Sequence, residues 1–149
     1  MRTYSFPGAG RLEAVIRENT KLQLSVMLAV EDAPAALAWY KQALGAKELW
    51  NLGSVVGMEM DGAPIFLGQL QNNGWETPLR LGARSVRIEV FCDDPDAFIA
   101  GAVAAGADGK LDRIRNHQMP WGPHRQGSFI DPFGHKRLVG DRSPLRHHP

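Results

Sequence analysis

The feature that most constrains the fold of this chain is an internal repeat. Residues 22–31 and 83–92 each alternate apolar and polar side chains, which is the period-two pattern of a half-buried β-strand. Asp32 and Asp94 follow these runs, and each is placed to cap a helix that has a proline in its first turn. Three more short strands are predicted after each helix. Two copies of a β-α-β-β-β unit are therefore predicted, and such a repeat fixes the architecture of the whole chain.

The two units span 22–69 and 83–140, which makes the predicted fold class α+β. Residues 70–82 are predicted to be a linker because they contain Asn, Gly and Pro with little periodicity. Residues 1–21 are expected to form an N-terminal arm with a short helix, and 141–149 a basic tail. Within the units, helices are predicted over 32–44 and 94–106. The second helix is predicted to have an apolar stripe at Ala97, Phe98, Val103 and Ala104. The remaining strands are predicted over 47–51, 54–60, 64–69, 111–116, 126–130 and 135–139.

The composition is that of an ordinary soluble domain, with 44% hydrophobic and 22% charged residues among 149. The formal net charge of +1 implies no strong attraction to nucleic acid, and no apolar run is long enough to span a membrane. The N-terminus lacks the apolar core of a signal peptide, and the single cysteine, Cys92, excludes an intrachain disulfide. We therefore expect a cytoplasmic protein with neither a nucleic-acid partner nor a membrane partner.

A hairpin near the C-terminus carries the sharpest motif. Trp121 opens it, and residues Asp131 to His135, Asp-Pro-Phe-Gly-His, form a turn with proline and glycine at positions that suit their backbone preferences. This WG…G…DPFGH hairpin resembles the vicinal-oxygen-chelate superfamily of glyoxalase I, bleomycin-resistance proteins and extradiol dioxygenases, and within it the PhnB-like branch. The resemblance covers residues 22–140. The chain departs from the pattern at Lys136 and Arg137, where a tryptophan commonly follows the histidine.

The resemblance implies that the two units form a curved half-barrel sheet, with helices on one face and a ligand cavity on the concave face. Metal-dependent members of the superfamily hold His, Gln or Glu ligands on the first and last strands of each unit. Carried onto this chain one at a time, these stations fall at Ser25, Phe66, Arg87 and Leu138. This set makes no site for a divalent cation, and a guanidinium would repel one. The sequence therefore predicts no metal site and no cofactor.

The remaining reactive side chains carry weak signals. His117, His124 and His135 are expected on or beside loops, as solvated or hydrogen-bonded side chains rather than ligands. Cys92 falls on the apolar row of its strand, which predicts a buried and unreactive thiol. The chain has neither a Gly-rich phosphate loop nor a GxSxG motif. No catalytic residue is identified on these grounds.

Five residues are the candidates for ligand binding. Arg87 and Glu89 would supply an anion contact and a candidate base, or would only neutralise each other. Trp50 and Trp121 offer flat apolar surfaces for a planar ligand, although Trp121 has the alternative role of packing the hairpin. Gln69 is the fifth candidate. The rows expected to face the cavity are Ser25, Met27 and Ala29 in the first unit and Arg87, Glu89 and Phe91 in the second.

The function that these residues favour is metal-independent binding of a planar or anionic organic molecule. A homodimer is expected because half-barrels leave sheet edges that proteins of this superfamily commonly cover by pairing. Two alternatives stay open: a metal-dependent lyase, isomerase or dioxygenase whose ligands lie elsewhere in the chain, and a non-catalytic interaction protein with a vestigial cavity. The sequence names neither the ligand nor a reaction.

Overall fold

The structure is a computed structural model that describes residues 21–70 and 74–147. The arm predicted over residues 1–21, with its short helix, lies outside the described residues except for Lys21. The first module contains β1 (Val26–Val30), α1 (Ala33–Leu44), β2 (Lys47–Asn51), β3 (Val55–Met60) and β4 (Ala63–Gln69). The short helix α2 (Pro78–Leu81) follows it. The second module contains β5 (Arg87–Phe91), α3 (Pro95–Ala104), β6 (Arg115–Met119), β7 (Gly122–Ile130) and β8 (Lys136–Gly140), and a 3₁₀ turn (Ser143–Arg146) comes last.

The two modules have the same sheet topology. The strand orders are β1-β4-β3-β2 and β5-β8-β7-β6, so each module contributes its own four-stranded sheet. In each sheet the first strand runs parallel to the last, and the other pairs are antiparallel. The prediction of two equivalent β-α-β-β-β units in an α+β fold is confirmed. Among the described residues, no helix is long and apolar enough to cross a membrane.

The local signals that predicted the repeat act as expected. The carboxylates of Asp32 and Asp94 each accept a hydrogen bond from the backbone N–H three residues on, at 2.9 and 3.0 Å. Gly45 ends α1 in the left-handed conformation, with a φ of 69°. Asp61 and Gly62 join β3 to β4 with φ values of 47° and 83°, as a tight hairpin turn requires. These short-range interactions position both helices on their sheets.

Several strand bounds differ from the prediction. β1 and β5 begin at Val26 and Arg87, later than the alternating runs suggested. Each has a single partner strand, and pairing with that strand begins at Ile65 for β1 and at Lys136 for β5. β6 spans 115–119 instead of 111–116, and β7 begins at Gly122 rather than 126. The reason is that the tight turn lies at residues 120–121, so the Trp-Gly-Pro stretch opens β7 and does not break the chain.

The predicted apolar stripe of α3 is correct only at Phe98, which packs against the buried cluster of the second module. The residues that α3 buries are Pro95, Ile99 and Ala102, whereas the predicted stripe residues are exposed or only half buried. This helix is rich in alanine, and several of its faces are therefore equally apolar by sequence. The linker also contains one helical turn, α2, which Thr77 caps through its hydroxyl oxygen. Neither the face of α3 nor the turn of α2 had a clear periodic signal.

Each module buries an apolar cluster between its helix and its sheet. In the first module Tyr40 and Met58 are fully buried, and in the second Phe129 is. Trp39 of α1 packs against both clusters, and its indole N–H donates a hydrogen bond to the Ala105 carbonyl oxygen at 2.7 Å. The end of α3 is thereby held against α1, and this contact joins the modules.

Candidate functional site

Each sheet has one face covered by a helix and one face turned away from it, which we call the open face. On β5, Ile88 and Val90 pack against the apolar clusters. Because side chains alternate along a strand, Arg87 and Glu89 lie on the open face, where Glu89 is the neighbour of Leu138 on β8. The predicted row of the second module therefore faces away from its helix.

Arg87 and Glu89 form an ion pair with each other. Nη2 of Arg87 lies 3.2 Å from Oε1 of Glu89, and 57% and 41% of the two side chains are exposed. The structure thus has the pairing that the sequence offered as one of two alternatives. An exposed pair contributes little to stability and opens at little cost, so ligand contact by either group stays a prediction.

Trp50 lies on the open face of the first sheet. Its indole rests on Gly57 of β3, where an added Cβ would lie only 2.3 Å from Cε2 of the ring. It also packs edge-on against Phe66 of β4, with ring centroids 5.0 Å apart. Gly57 is therefore required for the indole to lie against the sheet. The result is a half-buried aromatic surface of the kind that suits a planar molecule.

Gln69 lies on the opposite side of the first sheet. Its strand partner is Val30, which is buried under α1. The side-chain oxygen of Gln69 accepts a hydrogen bond from the backbone N–H of Ala33 at 3.1 Å. The amide therefore satisfies a free donor at the first turn of α1 and does not reach the open face.

Trp121 lies in the turn between β6 and β7, in a different module from Trp50. Its indole stacks on the imidazole of His147, with centroids 5.4 Å apart and an interplanar angle of 14°. The indole N–H is buried and has no hydrogen-bond partner among the described residues. The two predicted tryptophans therefore have separate aromatic neighbours, and the structure does not gather the five candidates into one site.

The Asp-Pro-Phe-Gly-His turn is organised by the buried carboxylate of Asp131. Its Oδ1 accepts hydrogen bonds from the backbone N–H groups of Phe133 and His135, both at 2.9 Å. Its Oδ2 accepts hydrogen bonds from the hydroxyl of Tyr40 and from Nη1 of Arg137. The guanidinium of Arg137 also lies 4.7 Å above the Tyr40 ring. The arginine that departs from the family pattern is thus buried as the counterion of the motif's own aspartate.

Burial governs the protonation of the groups around this turn. It raises the pKa of Tyr40 well above its ordinary value of 10.0, so the hydroxyl stays protonated and donates to Asp131. Burial also lowers the pKa of His135, although the Ala29 carbonyl and the Asp131 charge oppose it. A neutral His135 with its proton on Nε2 donates to the Ala29 carbonyl oxygen at 2.8 Å. The motif histidine therefore ties the second module to β1 of the first.

His124 is buried within β7 and is not on a loop, which corrects the sequence-based expectation. Its Nδ1 lies 2.9 Å from the Asp141 carboxylate and 2.7 Å from the Ser143 hydroxyl, and its Nε2 lies 2.9 Å from Oε1 of Gln126. Burial alone would raise the pKa of Asp141, but hydrogen bonds from the Arg125 and Ser143 amides, the Ser143 hydroxyl and His124 lower it below 3.8. This cluster fastens the start of the C-terminal segment to the sheet.

Cys92 is half buried, and burial raises the pKa of its thiol above the ordinary value of 9.0. A thiol in that state is a poor nucleophile at neutral pH, because the thiolate is the reactive form. The expectation of an unreactive cysteine is consistent with this environment.

A cavity of about 690 Å³ lies between the modules, and we call it the inter-module cavity. Met27 and Ala29, from the row expected to face a cavity, line it, but none of the five predicted ligand-binding residues does. Its other walls come from the linker, which has no periodic pattern, and from residues 83–86, which belong to the alternating run 83–92 but precede β5. The lining is formed by residues 26–29, 74–76, 78, 81, 83–86 and 135.

In the part of the chain that the structure describes, the four stations named from the resemblance do not fit a metal centre. The four stations carry a hydroxyl, an aromatic ring, a guanidinium and an isobutyl group, at Ser25, Phe66, Arg87 and Leu138. The guanidinium is already paired with a carboxylate. Within residues 21–70 and 74–147, no cluster of three or more His, Cys, Asp or Glu side chains is placed to hold a metal ion. Divalent ions of the kind used by metalloenzymes need such donors.

Comparison with known proteins places this architecture in a family. The model of the Glyoxalase/Bleomycin resistance protein/Dioxygenase superfamily matches residues 23–137, and the chain belongs to that superfamily. An uncharacterised protein of Mycobacterium tuberculosis strain H37Rv is 31% identical over 138 residues, covering 86% of this chain and 78% of its own. The PhnB-like branch is not distinguished by these matches and stays a prediction.

Two solved structures show the likeness of the fold. A glyoxalase/bleomycin resistance protein from Albidiferax ferrireducens T118 has a TM-score of 0.64 at 19% identity, covering 82% of this chain and 100% of the other. A bleomycin-binding protein in complex with bleomycin has a TM-score of 0.58 at 18% identity, covering 81% and 98%. At these sequence identities the likeness establishes the fold of this chain. The ligands of those proteins are properties of those proteins.

Proposed function

We propose that this protein binds a planar or anionic organic molecule without the help of a metal ion. The observation that carries the proposal is the set of side chains at the stations where metal-dependent relatives hold their ligands. That set replaces coordinating groups with an aromatic ring, an aliphatic side chain and a guanidinium, which favour apolar contact and charge-assisted hydrogen bonds. The bleomycin complex of a similar protein supports the binding of small molecules on this fold.

A thermal-shift screen in the presence of EDTA tests this function. Planar aromatic carboxylates, conjugated antibiotics and thiol conjugates form a suitable panel, because a ligand that binds only the folded state raises the melting temperature. We expect at least one compound to stabilise the EDTA-treated protein. Shifts that appear only after addition of Zn²⁺, Ni²⁺, Mn²⁺ or Fe²⁺ would contradict the proposal and favour the metal-dependent alternative.

On the open face, Arg87 is the proposed anion contact and Trp50 the proposed apolar surface. Ligand binding would open the exposed Arg87–Glu89 pair and replace it with a contact to the ligand's acceptor. Arg87→Ala should then weaken binding by about 1.5–3 kcal/mol, the range for a hydrogen bond to a charged group. Arg115→Ala removes another exposed, paired arginine on β6 and is the matched control, for which isothermal titration should give an unchanged affinity.

We also propose that the protein is a homodimer. β1 and β5 are outer strands of their sheets, and two large apolar side chains outside the inter-module cavity, Leu22 and Leu24, lie exposed just before β1. Leu22 is 90% exposed and Leu24 79% exposed, which is unfavourable for an isolated monomer. Light scattering should give twice the mass of the chain at micromolar concentration, and Leu24→Asp should shift it toward the monomer. A monomer mass for the unaltered protein would refute the proposal.

A further inference from the structure

The inter-module cavity has the size and construction of a small-molecule site. Its volume of about 690 Å³ lies within the range of roughly 300–1,000 Å³ that such sites occupy. β1 forms one wall, and segments 74–76 and 83–86 on either side of α2 form the other. His135, which bonds to Ala29 across the module boundary, also lines it. The cavity is therefore bounded by elements from both modules and from the linker.

An indole forms part of the wall. If Gly68 of β4 carried a Cβ, that atom would lie 2.9 Å from both Cη2 of Trp75 and Sδ of Met27, so both side chains lie against bare backbone. The Trp75 N–H is buried and has no hydrogen-bond partner among the described residues. A buried donor without an acceptor is unfavourable. Since this nitrogen is inaccessible to solvent, a molecule in the cavity would meet the indole ring and not its N–H.

The lining carries one charge of each sign, and the two groups differ in whether another charge lies near them: Arg80 lies near Glu76, although it is closer to Glu31, at 3.0 Å. Among the Asp, Glu, Lys and Arg side chains of the described residues, Glu76 and Arg84 line the cavity. The Glu76 carboxylate accepts a hydrogen bond from the Thr77 amide at 2.9 Å and lies 3.9 Å from Nε of Arg80. Arg84 donates Nε to the Gly134 carbonyl at 2.5 Å, and the ion pairs of the described residues do not include it. The Arg84 guanidinium thus bonds to one neutral carbonyl group and can still form an ion pair with a ligand.

We propose that the inter-module cavity binds a flat aromatic monoanion, a carboxylate or a sulfonate, with Arg84 at the anionic group and Trp75 against the ring. Met27 and Val86 supply apolar contact for the rest of the molecule. Neither Arg87 nor Glu89 lines this cavity, although their neighbour Val86 does. This site shares with the proposed function only the premise that the ligand is a small organic molecule.

Two fluorescent probes that differ by one group provide the test. Anilinonaphthalene sulfonate is a flat aromatic monoanion, and phenylnaphthylamine is the same framework without the sulfonate. With the full chain in EDTA, the sulfonate should bind saturably at one site per chain. Arg84→Gln should weaken the sulfonate roughly 10- to 100-fold, because it loses a charge-assisted hydrogen bond, and should change the neutral probe less than about threefold. Arg115→Gln should change neither.

Further variants keep the test decisive. Trp75→Leu removes the indole and not the charge, so it should weaken the binding of both probes. It is the replacement variant if Arg84→Gln does not unfold cooperatively. Absence of saturable sulfonate binding, or equal loss of both probes on Arg84→Gln, would overturn the proposal. So would a loss on Arg87→Gln that equals or exceeds the loss on Arg84→Gln. That last result would move the probe to the open face and leave the proposed function intact.

Discussion

Replacement of Asp131 by asparagine should be among the most destabilising single substitutions in this chain. The change keeps the size of the side chain and keeps one oxygen for the backbone N–H groups of the turn. It removes the charge that faces Arg137, and 0% and 1% of these two side chains are exposed. Nη2 of Arg137 has no hydrogen-bond partner among the described residues. The guanidinium would therefore remain buried without a counterion.

The structure sets the expected magnitude. Removal of one partner from a buried ion pair costs about 3–5 kcal/mol, because an uncompensated charge is left behind. Tyr40→Phe removes a single hydrogen bond to the same carboxylate and leaves the ion pair, so it should cost about 1.5–3 kcal/mol. The double variant Asp131→Asn, Arg137→Met should cost less than the sum of its two single changes, because it leaves no buried charge unpaired.

Urea unfolding at a fixed protein concentration measures these differences in the free energy of unfolding. Circular dichroism before unfolding checks that each variant keeps its secondary structure. A cost below about 1 kcal/mol for Asp131→Asn would refute the reasoning, since it is smaller than a lost buried pair allows. Strict additivity in the double variant would refute it as well, because the two side chains would then not interact.

Three further predictions rest on single contacts. Burial lowers the pKa of His135 below 6.5, so the folded protein binds fewer protons than the unfolded chain below that pH. The free energy of unfolding, measured with urea, should therefore fall as the pH is lowered from about 7 to 5.5, and it should fall less steeply in His135→Gln. Gly57→Ala should displace the Trp50 ring, with a cost of about 1–3 kcal/mol and a shift in tryptophan emission. Trp39→Phe should cost about 0.5–1.5 kcal/mol in urea unfolding, because it removes the hydrogen bond to Ala105.

Much of the fold could be predicted from short-range signals. Asp32 and Asp94 act within their own first helical turns, and Asp61-Gly62 within its own hairpin, so the sequence contains the whole interaction. The equivalence of the modules followed from repeating those signals. The starts of β1 and β5 could not be predicted in this way, because they depend on where pairing with β4 and β8 begins.

The candidate site was less accessible to sequence because its contacts are long-range. Nothing near Gln69 indicates that its oxygen accepts from Ala33, and nothing near Asp131 indicates that Tyr40, 91 residues earlier, donates to it. Trp75 lies in a linker without periodicity, and Arg84 lies in a run that was predicted as a strand, so neither pattern indicated the cavity wall that they form. The alternation of β5 did predict the face of Arg87, because a strand has only two faces.

Elemental analysis of the purified protein tests the central claim, metal-independent ligand binding, most directly. The measurement is metal content per chain by plasma mass spectrometry, paired with ligand titration before and after EDTA. We predict far less than one Zn, Ni, Mn or Fe per chain, and the same affinity in both titrations, because the station residues do not coordinate. About one metal ion per chain, removed by EDTA together with ligand binding, would contradict the account.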